Sequence, residues 1–158
     1  MVDSKTLDIL LDESKSQKIQ TLQTVTHLDT KASIIIAVTG IILGIIFSGS
    51  FFNMEFLLIF SFSNLMLFLG IVLLFASMII SLYSIKLTNF RFDPELRPLV
   101  EGYSKKQPGE VKEKLISHFV NSFEENLEKI GTKSYFINAS YYLLVIGLVL
   151  LLISFYIR

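Results

Sequence analysis

The chain has 158 residues, of which 52% are apolar and only 18% charged, with a formal net charge of zero and no cysteine. Soluble domains are about one-quarter charged, so this balance excludes an ordinary water-soluble fold. Zero net charge leaves no basic field for a nucleic acid polymer, and without cysteine no disulfide, thiolate nucleophile or zinc–thiolate centre can form.

The mean hydropathy of +0.60 comes from three windows without Asp, Glu, Lys or Arg: residues 32–54, 56–85 and 134–157. About 20 apolar residues in a helix cross a hydrocarbon layer of roughly 30 Å. The expected fold class is therefore an all-α integral membrane protein with three transmembrane helices. The apolar runs are continuous, whereas the strands of a membrane β-barrel alternate apolar with polar residues.

Residues 1–31 form a charged arm without Gly or Pro. They read as a cytoplasmic N-terminal helix, capped by Asp3 or Ser4 and running into the first span. Ile19, Leu22, Val25 and Leu28 recur every third residue and predict a narrow apolar stripe. No secretory, myristoylation or prenylation signal is expected at the termini.

Transmembrane helix 1 is placed at 32–53, a short external turn at 54–62 and transmembrane helix 2 at 63–85. Gly40 and Gly44 form a GxxxG pattern that Ser48 extends. Small residues on one face let helix backbones approach. The pattern predicts helix packing, either between copies through span 1 or against span 2 or 3 of the same chain. Asn64 and Asn138 are the strongly polar residues of the windows. Both are expected at an interface or in an interhelical hydrogen bond.

Residues 86–133 form a polar insert read as cytoplasmic and helical. Asp93-Pro94 and Arg97-Pro98 break any helix near its start, and Lys105–Gly109 forms a second break, leaving room for a short helix over 95–103. Beyond it Val111, Leu115, Phe119, Phe123 and Leu127 repeat every fourth residue, with Ile116, Val120 and Ile130 widening the stripe. This amphipathic helix is expected to pack on the arm as a helical bundle, burying Phe119 and Phe123 against Leu22 and Val25, and to feed into transmembrane helix 3 at 134–157. Between the second span and this helix, Arg91, Arg97, Tyr103, Lys105 and Lys106 place cations beside an aromatic ring. That chemistry would suit a phosphate and a base, but Asp93, Glu95 and Glu101 dilute the charge and no glycine-rich phosphate loop is present, so a solvated juxtamembrane loop is the favoured reading.

Four basic residues lie in the arm, nine in the insert, none in the turn between spans 1 and 2, and Arg158 ends the chain. Basic residues stay on the cytoplasmic side, which predicts a multi-pass inner-membrane protein with N-terminus and insert inside and C-terminus outside. Lys31, Lys86 and Lys133 mark the cytoplasmic ends of the spans as interface anchors that snorkel to headgroups. Asp29 and Lys133 fall at similar depth and are predicted to form an ion pair at the membrane interface, beside the alternative that Asp29 faces water. No charge lies inside a span, which argues against a transporter. No catalytic triad, carboxylate pair or metal-ligand spacing appears, and no enzyme activity, metal or cofactor is expected.

The run His27-Leu-Asp-Thr-Lys-Ala-Ser33, leading directly into an apolar span, resembles the Asp-x-Lys-Ala-Ser start of the Pycsar transmembrane effector family. The second span, the helical insert and a lysine-led third span beginning Lys133-Ser-Tyr-Phe-Ile-Asn-Ala139 share that layout over about residues 20–157. The resemblance implies a prokaryotic anti-phage effector that damages the inner membrane on a cyclic-nucleotide signal. Its partners would be the lipid bilayer, further copies of itself, and a cyclic nucleotide or a soluble protein. The chain lacks a separate nucleotide-binding domain. The competing expectation is a scaffold that docks a soluble partner through its cytoplasmic helices.

Overall fold

A computed structural model describes residues 4–48, 62–87, 90 and 107–157. Among them are three α-helices: α1 (Ser4–Ser48), α2 (Phe62–Lys86) and α3 (Pro108–Ile157). All three are long and apolar enough to cross a membrane. The expected all-helical, three-span character is present. Two of the predicted segment boundaries fall inside continuous helices, in keeping with an arm that runs into span 1 and an insert helix that feeds into span 3. The arm and span 1 form a single helix without a break at 31, and α3 runs unbroken through Gly131 and past 133. Pro108 opens α3, where a missing amide hydrogen costs no helical bond. The external turn at 54–62, apart from Phe62, and the short helix at 95–103 lie outside the described residues.

The chain divides into two units. One comprises Met1–His27 and Thr88–Thr132. In it the first part of α1 lies beside the first part of α3, running in the same direction. Lys112 pairs with Asp8, and Ser14, Lys18 and Thr21 share a small cavity with Phe119, Ser122, Phe123 and Asn126.

Leu7, Thr21, Val25 and Asn126 are buried in this unit, while Phe119 and Phe123 are half-buried. The predicted stripes need correction. Ile19, Leu22, Val120 and Leu127 are exposed. At 100° per residue, a three-residue repeat drifts backward by about 60° per step and a four-residue repeat forward by about 40°. Only alternating steps of three and four stay on one face.

The second unit comprises Leu28–Leu87 and Lys133–Arg158. Most of its buried positions follow that alternation. They are Leu28, Ala32, Ile35 and Thr39 on α1, and Leu67, Gly70, Leu74, Ser77, Ser81 and Ser84 on α2. On α3 they are Lys133, Ile137, Ser140, Leu144, Gly147, Leu151 and Ser154. The outward surface is apolar, with Ile34, Ile41, Ile45, Phe68, Val72, Ile79, Ile146 and Leu152 exposed. Serines and one lysine lie inside. A water-soluble bundle would show the reverse.

Candidate functional site

Within the second unit α2 and α3 run antiparallel and meet through two rows of small residues, each with a seven-residue period. Ser63, Gly70, Ser77 and Ser84 of α2 face Ser154, Gly147, Ser140 and Lys133 of α3, in that order. The Ser63 hydroxyl donates to the Ser154 carbonyl and the Ser154 hydroxyl donates to the Ser63 carbonyl, both at 2.8 Å. The Ser77 hydroxyl donates to the Ser140 carbonyl at 2.7 Å.

Between these layers the two glycines let the backbones touch. A Cβ on Gly70 would lie 3.1 Å from the Gly147 carbonyl oxygen, and one on Gly147 would lie 3.1 Å from that of Gly70. In lipid, apolar side chains gain little from leaving the acyl chains, so close backbone contact and hydroxyl–carbonyl bonds hold helices together.

Lys133 begins the α3 row, and its long side chain stands where the other three layers carry small groups. It is fully buried. Taking an ammonium out of water without a counter-charge costs several kcal/mol. Asp29 of α1 supplies that charge, with its Oδ1 2.6 Å from Lys133 Nζ. The two partners differ in access, since the Lys133 side chain is 0% and the Asp29 side chain 34% exposed. Ala32, one turn beyond Asp29, is fully buried, and its small side chain leaves room for the pair. On α2 the Ser84 hydroxyl donates weakly to the Lys133 carbonyl at 3.5 Å. The Ser81 hydroxyl is also fully buried and has no partner among the described residues. Tyr83 and Phe136 flank the cluster with an edge-to-face ring contact, centroids 5.3 Å apart. The site thus carries one buried ion pair bridging two helices, set at one end of a hydroxyl-lined seam.

The other sequence-predicted residues are not drawn into this site. Lys133 was expected both to mark the end of a span by snorkelling and to pair with Asp29; it pairs with Asp29 and does not snorkel. It is instead turned into the seam, because position 133 falls on the inward row with Ser140, Gly147 and Ser154. Lys31 and Lys86 are exposed. Gly40, Gly44 and Ser48 lie on the exposed side of α1, and a Cβ on either glycine would meet nothing within 4 Å. Packing of this motif against span 2 or 3 of the same chain is therefore not found. Asn64 is buried and Asn138 exposed. Arg91, Arg97, Tyr103, Lys105 and Lys106 lie outside the described residues.

The α2–α3 rows were missed at the level of sequence. Their signal is the recurrence of Ser or Gly at 63, 70, 77, 84 and at 140, 147, 154. Comparison with known proteins finds no matching family model, curated protein or solved structure.

Proposed function

We propose that the chain is a non-enzymatic membrane effector of prokaryotic anti-phage defence, which self-associates and impairs the inner membrane when triggered, with a cyclic nucleotide as the class of signal. The observation that carries the membrane part of this reading is the apolar outer surface of the second unit, with serines and Lys133 turned inward among apolar residues. The effector part rests on the resemblance at His27–Ser33 and Lys133–Ala139. Its support in the fold is that α1 and α3 each belong to both units, so a polar region and a membrane region share two helices.

Inducible expression tests this reading. Growth arrest and dye entry are the expected results, and a harmless membrane protein would refute it. Replacing Gly40 and Gly44 together by Ile should abolish both effects and reduce oligomer size in mild detergent. The fold should survive, because a Cβ at either site meets nothing within 4 Å among the described residues. Unchanged oligomer size with full toxicity would remove span 1 from the assembly.

The orientation proposed is N-terminus and insert cytoplasmic, C-terminus external, following the basic residues. A cysteine at Ser50 should react with an impermeant thiol reagent added outside intact cells, and one at Ser104 should not. The opposite pattern would invert the topology.

One observation favours the scaffold as a second reading. The first unit exposes Ile9, Ile19, Leu22, Val120 and Leu127 among charged residues, an apolar surface a soluble partner would cover. A protein that is harmless on expression and co-purifies with one soluble protein in fixed ratio would favour it.

A further inference from the structure

The three helices of the second unit are not held together in the same way. The α2–α3 contact is locked by backbone contact at Gly70–Gly147 and by hydroxyl–carbonyl bonds at Ser63, Ser154 and Ser77. The buried face that α1 presents in this unit is of another kind. Leu28, Ala32, Ile35, Leu43 and Ile46 are apolar, and the Thr39 hydroxyl donates to the Ile35 carbonyl of its own helix at 2.7 Å. Such a face is nearly as well accommodated by lipid tails as by another helix. Beyond apolar packing and the Phe47–Phe75 ring contact, α1 brings to this unit the Asp29 carboxylate on the buried Lys133.

We propose that the Asp29–Lys133 pair is the latch holding α1 on a self-sufficient α2–α3 pair, and that α1 is the helix that moves when the latch opens. The inference rests on the membrane reading above, since in water the apolar face alone would hold α1.

The latch opens from the Asp29 side. Asp29 is one-third exposed and Lys133 is sealed, so a competing cation reaches the pair at Asp29. The freed lysine has somewhere to go. Lys133 is the last charged residue before the apolar run 134–157, and a four-carbon stem starting there reaches the headgroup layer. The open state therefore exchanges an ion pair for a snorkelling lysine instead of stranding a charge in hydrocarbon.

The chain has no cysteine, so introduced pairs report helix contacts cleanly in the full-length protein in liposomes. Phe47→Cys with Phe75→Cys reports α1 on α2, where the rings lie 6.2 Å apart. Tyr83→Cys with Phe136→Cys reports α2 on α3. Asp29→Asn should lower cross-linking of the first pair several-fold and leave the second unchanged. Asp29→Lys combined with Lys133→Asp should restore the first.

Unchanged α1–α2 cross-linking in Asp29→Asn would overturn the latch. So would an equal loss in both pairs, which would make the ion pair a determinant of the whole bundle. A protein stripped from liposomes by alkaline carbonate would overturn the membrane reading and the latch together. Absence of toxicity in cells, with the cross-linking pattern as expected, would overturn the effector reading alone.

Discussion

Replacing Gly70 or Gly147 with Ile will force α2 and α3 apart and destabilise the second unit. The atoms in the way decide this. A Cβ at Gly70 lies 3.0 Å from Leu151 Cγ and 3.1 Å from the Gly147 carbonyl, and one at Gly147 lies 3.1 Å from the Gly70 carbonyl and 3.2 Å from Leu74 Cδ2. A leucine tip can rotate aside, but a carbonyl inside a helix moves only with the helix. Overpacking of this kind costs about 1–3 kcal/mol or more. Separation also lengthens the adjoining hydroxyl–carbonyl bonds of Ser63, Ser77 and Ser154, each worth about 0.6 kcal/mol in a membrane.

Ala at either position should cost less, because the neighbouring helix must yield by only a few tenths of an ångström. Gly44→Ile is the matched control, adding the same side chain to the same kind of helix with no neighbour to meet. Thermal unfolding in mild detergent, followed by far-UV circular dichroism, should rank Gly70→Ile and Gly147→Ile well below Gly70→Ala, with Gly44→Ile near the parent. Equal melting temperatures for Gly70→Ile and Gly44→Ile would refute close packing at the Gly70–Gly147 layer.

Which parts of this arrangement could be read from the sequence follows from the physics of each signal. The three spans were legible because charge is expensive in hydrocarbon, and its absence over some twenty residues is a coarse, one-dimensional feature. Asp29 and Lys133 were legible as partners from depth alone, since each lies just before an apolar run of the same orientation. The burial of Lys133 was not, because it depends on the rotational phase of α3. A lysine one residue from a span snorkels or turns inward according to a fraction of a helical turn.

Phase is also where the stripes through Ile19–Leu28 and Val111–Leu127 went astray. Fixed steps of three or four drift across the contact face, so the first stripe is buried only at Val25 and Leu28, and the second is half-buried from Val111 to Phe123 and exposed at Leu127. The small-residue rows of α2 and α3 have the correct seven-residue phase, but their serines and glycines are separated by six residues that are mostly large and apolar. The eye is drawn instead to the compact Gly40–Gly44 pattern, which faces away from the chain's own helices.

Removing the Asp29 carboxylate will destabilise the protein more than removing the Lys133 ammonium, although they are two halves of one contact. Asp29→Ala takes the Asp29 counter-charge from an ammonium on the inward row, a change that typically costs about 3–5 kcal/mol, of which part is recovered when the lysine stem swings out to the headgroups. The partial exposure of Asp29 means that part of the pairing is already screened by solvent. The lower end of that range, about 3 kcal/mol, is the expected loss. Lys133→Met keeps most of the stem that fills the seam and leaves a carboxylate one-third exposed, where water or a counter-ion reaches it. Its loss should be smaller, about 1 kcal/mol by comparison with other partly solvated groups.

The double variant should recover toward the parent, because an apolar pair of similar volume is often as stable as the buried ions it replaces. Unfolding free energies of the four proteins, measured by denaturant titration in micelles, give a coupling energy through the double-mutant cycle. A non-additive recovery in the double variant, with Asp29→Ala the worst of the four, is the signature of a buried pair with one sealed and one accessible partner. If the two single losses simply add, the carboxylate and the ammonium are neighbours without being partners.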